Sequence, residues 1–167
     1  MARKLRIRLV LPVLATLLGT VLAAGATASP PAPASGTLTY TSSSFNSIRI
    51  EGGNAIIDLS ATVSYTGTLS GTSQLHGVLI FHPNGTANFH DEETFTGTIN
   101  GVPGSVTFNL KGSSDANLVV KGTATVVDAS GGLTGLHGVL EEAAVVIDKA
   151  VGPVGTYSGQ LGFDAAP

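Results

Sequence analysis

The chain contains no cysteine and no tryptophan, and only 11% of its 167 residues are charged. Without cysteine there is no disulfide, no thiol nucleophile and no thiolate metal ligand, so the stability of the fold must come from its core. Eight basic residues stand against eleven acidic ones, and four of the eight lie within the first eight positions. The rest of the chain therefore carries a net charge of −7. This excludes a basic surface for nucleic acid or anionic lipid.

The first 28 residues have the pattern of an export signal. A basic segment is followed by an apolar run over residues 9–24, and small residues at Ala26 and Ala28 form a cleavage site before Ser29. The apolar run is shorter than the roughly 20 residues of a membrane-spanning helix. We therefore predict cleavage after Ala28, secretion of the mature chain, and no membrane association after cleavage. Residues 29–35 contain three prolines and predict a short extended tether.

Residues 36–167 predict a single all-β domain. Threonine, valine and isoleucine are frequent, glycine recurs every few residues, and no stretch has a helical period. The spacing of turn signals predicts about eight strands, enough to close one antiparallel up-and-down β-barrel without free edges. A β-sandwich is the alternative. Only a barrel requires the first strand, with Leu38 and Tyr40, to pair with the last, with Tyr157 and Leu161.

The turn signals also predict how the central strands pair. Small residues, or residues that tolerate left-handed backbone, mark three two-residue hairpin turns at Ser70-Gly71, Asn84-Gly85 and Asn100-Gly101. Folding the chain at these turns places Tyr65 opposite His76 and His76 opposite Glu93. Because alternate residues of a strand face opposite ways, all three side chains are predicted to point into the barrel.

This inward row is the candidate site, with Glu93, His76 and Tyr65 as candidate catalytic residues. Directly opposed side chains have Cβ atoms roughly 4.5–5.5 Å apart, so His76 would reach both neighbours. A carboxyl group among aromatic rings next to a histidine is suited to proton transfer near neutral pH. The alternative is a structural row of satisfied polar groups. The same face supplies the predicted ligand-binding residues, which are Asp91, Phe89, Phe95, Phe108, Val63 and Val78.

Two other kinds of site are weighed. A metal could use His76, Glu93 and Asp91, with His82 farther along, but the short-range histidine spacing of metal sites is absent. We predict no metal and no cofactor. Leu75, Leu79 and Phe81 are predicted to face outward, and an exposed apolar stripe of this kind predicts a homo-oligomer interface.

Several segments resemble known barrels. The glycine-rich stretch 132–138, followed by a strand, resembles the allene oxide cyclase and dirigent barrels, as does Tyr157-Ser158-Gly159. Stretch 83–89, and Glu93 ahead of Thr96-Gly97-Thr98, resemble a bacterial family of unknown function with a barrel of that type. The resemblance implies an allene oxide cyclase-like barrel. In the plant members such a barrel holds a hydrophobic substrate, often in a trimer.

Three functions are compatible with this sequence. The first is binding of a small hydrophobic molecule inside the barrel. The second is an isomerase or cyclase in which Glu93 and His76 move a proton. The third is a non-catalytic surface or interaction module with a packed interior. The volume left inside the barrel separates the third function from the other two.

Overall fold

The computed structural model describes residues 29–164, which form eight antiparallel strands closed into one barrel. Each strand pairs with the next along the chain, and β1 pairs with β8. This part of the chain offers no helix suited to spanning a membrane. The strands are β1 Ser29–Glu51, β2 Asn54–Gly67, β3 Leu69–Phe81, β4 Ala87–Ile99, β5 Val102–Ser114, β6 Val119–Gly131, β7 Leu136–Asp148 and β8 Gly152–Phe163.

The pairing of β1 with β8 confirms the barrel and excludes the sandwich. Gly36 lies opposite Tyr157, and the pairing continues to Ala32 opposite Leu161. Residues 29–35 are therefore the first part of β1, and the predicted tether is wrong. A proline-rich segment is already extended, and a register shift between Ser29 and Ala32 accommodates the first two prolines. The export signal predicted for residues 1–28 lies outside the described residues.

The β4–β5 hairpin has the predicted register. Asn100 and Gly101 have φ angles of 51° and 81°, the left-handed pair of a type I′ turn. Glu93 consequently lies opposite Phe108, and Asp91 lies opposite Leu110. All four side chains are buried in the interior of the barrel.

Strand β3 presents the opposite face to the barrel interior from the one predicted: the side chains predicted to point inward point outward, and the reverse. The β3–β4 connection is a longer loop over residues 82–86, closed by a bond from the His82 amide to the Thr86 carbonyl oxygen at 2.8 Å. The β2–β3 connection centres on Thr68 instead of Ser70-Gly71. Each difference shifts the pairing by an odd number of residues, which turns every side chain of β3 to the other face. His76 is therefore paired with Ser60 and Glu92 on the outer surface.

One end of the barrel is filled by a packed core, and we call it the closed end. The Tyr65 ring meets the rings of Phe95 and Tyr157 edge-on, with centroids 5.9 and 5.6 Å apart. Leu133, from the glycine-rich β6–β7 loop, is fully buried and caps this end. The Tyr157 hydroxyl accepts a hydrogen bond from the Leu69 amide at 2.7 Å. Any open space inside the barrel must therefore lie toward the opposite end.

Candidate functional site

A cavity of about 330 Å³ occupies the half of the barrel opposite the closed end. Its mouth lies among the β1–β2, β3–β4, β5–β6 and β7–β8 connections. Asp91 and Glu142 are the lining residues of β4 and β7 that lie nearest the closed end, one level above the packed core, and we call this level the floor. Apolar side chains from most strands form the walls, among them Leu59, Leu79, Phe81, Phe89, Leu110 and Val120.

Strand alternation explains why two carboxyl groups lie at the floor. Asp91 and Glu93 are two residues apart on β4, so both point inward, and Glu93 lies one level nearer the closed end. Glu142 points inward from β7 between Leu140 and Ala144. Three acidic side chains from two strands thus share one interior. No salt bridge among residues 29–164 involves any of the three.

Hydrogen bonds link Glu93 and Glu142 through a tyrosine. The Tyr65 hydroxyl lies 2.8 Å from Glu93 Oε1 and 3.3 Å from Glu142 Oε1, and the Ser73 hydroxyl also donates to Glu93 Oε1. A phenol has one hydrogen, which Tyr65 donates across the shorter distance. Glu142 can then join the chain by donating its own proton to the Tyr65 oxygen. This arrangement favours an ionised Glu93 beside a protonated Glu142.

Burial and mutual repulsion shift the acidities of these groups. Burial, with the nearby Glu93 charge, raises the pKa of Asp91 from 3.8 to about 7. Burial and the charge of Glu93 raise the pKa of Glu142 from 4.5 to about 8. Burial also raises the pKa of Glu93, although its hydrogen bonds from Ser73 and Tyr65 oppose that rise. All three carboxyl groups therefore hold a proton more tightly than a carboxyl group in water does.

Asp91 differs from its two neighbours because its Oδ1 has no hydrogen-bond partner. The residue is only 4% exposed, yet its side chain lines the cavity. Oδ1 lies over Gly77, the residue opposite Asp91 on β3, so closely that a Cβ at this position would clash with it. A glycine at position 77 thus makes room for the Asp91 carboxyl group. A buried polar atom without a partner is uncommon in proteins and costly.

The predicted partnership of His76 with Glu93 is wrong. His76 lies on the outer surface with a 67% exposed side chain, its Nδ1 3.3 Å from Ser60 Oγ and 3.9 Å from Asp58 Oδ1. Val78, predicted to contact a ligand, is also on the outer surface. The inverted orientation of β3 explains both corrections.

The same inversion overturns the predicted apolar stripe. Leu75 is buried in the core, and Leu79 and Phe81 line the cavity. The surface proposed for a homo-oligomer is therefore wrong, while the oligomeric state itself stays a prediction.

The remaining predicted site residues do point inward, but they divide into two groups. Asp91 and Phe89 line the cavity. Val63, Phe95 and Phe108 belong to the packed core, together with Tyr65 and Glu93. Their predicted roles in binding and catalysis stay predictions.

Sequence reasoning missed Glu142, Tyr40 and Ser73. Burial raises the pKa of Tyr40 well above its ordinary value, with Glu93 as the next cause, which places the ring close to the acidic groups. Glu142 had a usable signal, since alternation from Leu140 through Glu142 to Ala144 puts it on the inner face. Ser73 had none, because its orientation depends on the inverted β3.

His82, predicted as a possible metal ligand, is not among the residues that line the cavity. His82 lies in the β3–β4 loop, with its Nδ1 2.9 Å from Asn54 Oδ1 and its Nε2 2.9 Å from Asn88 Nδ2. Over residues 29–164, no group of three or more His, Asp or Glu side chains is arranged to hold a metal ion.

Two comparisons with known proteins find similarity. The profile of a family described as "Protein of unknown function (DUF3224)" matches residues 34–164. A crystal structure of a protein of unknown function from that family, from Shewanella oneidensis MR-1, superposes with a TM-score of 0.63 at 19% sequence identity. The superposition covers 80% of this chain and 98% of the other. At this identity the match supports the fold alone. No curated protein is significantly similar in sequence.

Proposed function

The chain belongs to the DUF3224 family, described as of unknown function, and from its cavity we propose that it binds a small, largely apolar molecule inside the barrel. The observation that carries the proposal is the cavity of about 330 Å³ above a packed core. Its volume lies in the range of small-molecule sites, roughly 300–1,000 Å³. Apolar walls with a few polar groups at one end are typical of such sites.

The distribution of the large side chains disfavours an interaction module with a filled interior. Tyr65, Phe95 and Phe108 belong to the packed core below the floor. Phe89 lies along the wall above them, close to the position a Cβ would take at Gly112. Tyr40, Phe45 and Phe81 also line this half of the barrel, and together these rings leave a cavity there instead of a central plug.

The isomerase hypothesis depended on a proton passing between His76 and Glu93. Because β3 is inverted, that pair does not form, and we do not propose the reaction. The export pattern of residues 1–28 adds the expectation that binding takes place outside the cytoplasm.

A matched pair of variants tests the proposal. Ala144 lines the cavity, and the adjacent Ala143 faces outward on the same strand. Thermal unfolding would be followed with a library of small apolar molecules. A ligand that raises the wild-type midpoint by mass action should lose this effect in Ala144→Phe, where a ring fills the site, and keep it in Ala143→Phe.

Two results would contradict the proposal. One is a flat response of the wild-type chain across the library. The other is a shift that survives in Ala144→Phe, because the ligand would then be bound elsewhere. Near-wild-type midpoints of both variants without ligand would confirm that the barrel tolerates each ring.

A further inference from the structure

We infer that the ligand of this cavity carries a protonated amine, held at the floor by the carboxyl groups of Asp91 and Glu142. This inference rests on the proposed function, because it assigns the head group of the same bound molecule. Three features of the floor support it: a carboxyl oxygen without a partner, acidic groups without a counter-charge, and apolar walls above them.

The first feature is the unused hydrogen-bonding capacity of Asp91. Its side chain lines the cavity, the residue is almost fully shielded from outside solvent, and Oδ1 has no partner. Rotation about the last side-chain bond exchanges the two carboxylate oxygens, so a donor arriving at the floor can reach this group. An ionised carboxylate only accepts hydrogen bonds, and an ammonium group supplies three donors and no acceptor.

The second feature is the missing counter-charge. Among residues 29–164, Lys149 is the only lysine or arginine that lines the cavity, and it is exposed at the mouth. The titratable groups close enough to interact with Asp91 are Glu93 on the same strand, Glu142 on β7 and the hydroxyl of Tyr40. None of these groups is a cation. A bound cation would attract each acidic group and so offset the repulsion among them, whereas an anion at the floor would add to this repulsion.

The third feature is the apolar wall above the floor. A hydrated metal ion or free ammonium would leave this wall unused, and a neutral alcohol would supply no charge. An ammonium group on a hydrocarbon body matches both regions. The competing arrangement is a carboxylate ligand whose head group stays at the mouth beside Lys149 with its tail directed inward.

The test compares head groups on one hydrocarbon body. Hexylamine, 1-hexanol and hexanoate would be titrated into the wild-type protein at pH 7 by calorimetry, with ammonium chloride at matched ionic strength as the control for charge alone. The same three head groups on a cyclohexylmethyl body would repeat the comparison with a more compact shape. We expect the amines to bind at least about tenfold more tightly than the alcohols, with the carboxylates weakest.

Two variants assign the preference to the floor. Asp91→Asn should reduce the ratio of amine to alcohol affinity by about tenfold, whereas Glu92→Gln, on the outer face of the same strand, should leave it unchanged. Alcohols that match or exceed the amines would overturn the inference and leave the proposed function standing. A preference for the carboxylates would overturn it in favour of Lys149. An amine preference that persists in Asp91→Asn would also overturn it. Binding by none of the probes would count against the proposed function as well.

Discussion

Replacing Asp91 by asparagine should stabilise the folded protein relative to wild type near neutral pH. The same replacement should give less stabilisation relative to wild type at pH 4. Burial and the Glu93 charge raise the pKa of Asp91 from 3.8 to about 7, so the folded chain holds this proton more tightly than the unfolded chain. Stability then falls as pH rises through the window between these values. Below about pH 4 both states are protonated and no stability is lost.

The magnitude follows from the two pKa values. The interval from 3.8 to about 7, at 1.36 kcal/mol per pH unit, corresponds to about 4 kcal/mol of stability lost by the time the pH passes 7. The asparagine side chain cannot ionise, so the variant escapes this loss. The amide still carries its own cost of burial, but that cost is the same at every pH. The quantity to measure is therefore the difference in unfolding free energy between variant and wild type. The prediction concerns how this difference changes with pH.

Urea denaturation at intervals between pH 4 and pH 8 measures this quantity. Subtracting wild type from variant at each pH cancels the contribution of most other groups. Glu92→Gln is the matched control, since it removes an exposed carboxylate from the outer face of the same strand, and its difference from wild type should change little. Parallel curves for Asp91→Asn and wild type would refute the claim that this carboxyl group is buried at an energetic cost.

Two further predictions concern contacts within the barrel. In a double-mutant cycle, Tyr65→Phe and Glu93→Gln should couple by about 0.5–3 kcal/mol because their side chains are hydrogen-bonded, whereas His76→Leu and Glu93→Gln should be additive within about 0.5 kcal/mol. Additivity in the first cycle would contradict the hydrogen bond between Tyr65 and Glu93, and coupling in the second would contradict the observed orientation of β3. Tyr157→Phe should cost about 1–3 kcal/mol in urea denaturation because it removes the acceptor of the buried Leu69 amide. An unchanged unfolding free energy would mean that another group replaces this bond.

The sequence predicts the barrel well because alternation and turns are local signals. Asn100-Gly101 sets both the turn type and the register, and the inward positions of Asp91 and Glu93 follow from it. The orientation of β3 depends instead on whether a loop has an even or odd number of residues. A proline-containing loop around Asn84-Gly85 leaves that undecided.

The apolar residues of β3 are enough to predict which face of this strand points inward. Leu75, Leu79 and Phe81 face inward in the structure. A pairing that exposes three large apolar side chains to solvent indicates that the predicted register of β3 is shifted by an odd number of residues. Correcting this register places His76 on the outer face. Glu142 could also have been found by alternation. The depth of the cavity cannot be predicted from the sequence, because it depends on how side chains from all eight strands pack together.

The seam between β1 and β8 also has a consequence for how this protein folds. It joins residues from the two ends of the domain, such as Gly36 and Tyr157, while every other pairing joins consecutive strands. Closing so long a loop is entropically costly and makes this the least local step of folding. Until β8 is available, β1 and β7 have open edges, and Tyr157 cannot reach the Leu69 amide. A chain emerging amino-terminus first can therefore complete its barrel only after its last strand has emerged.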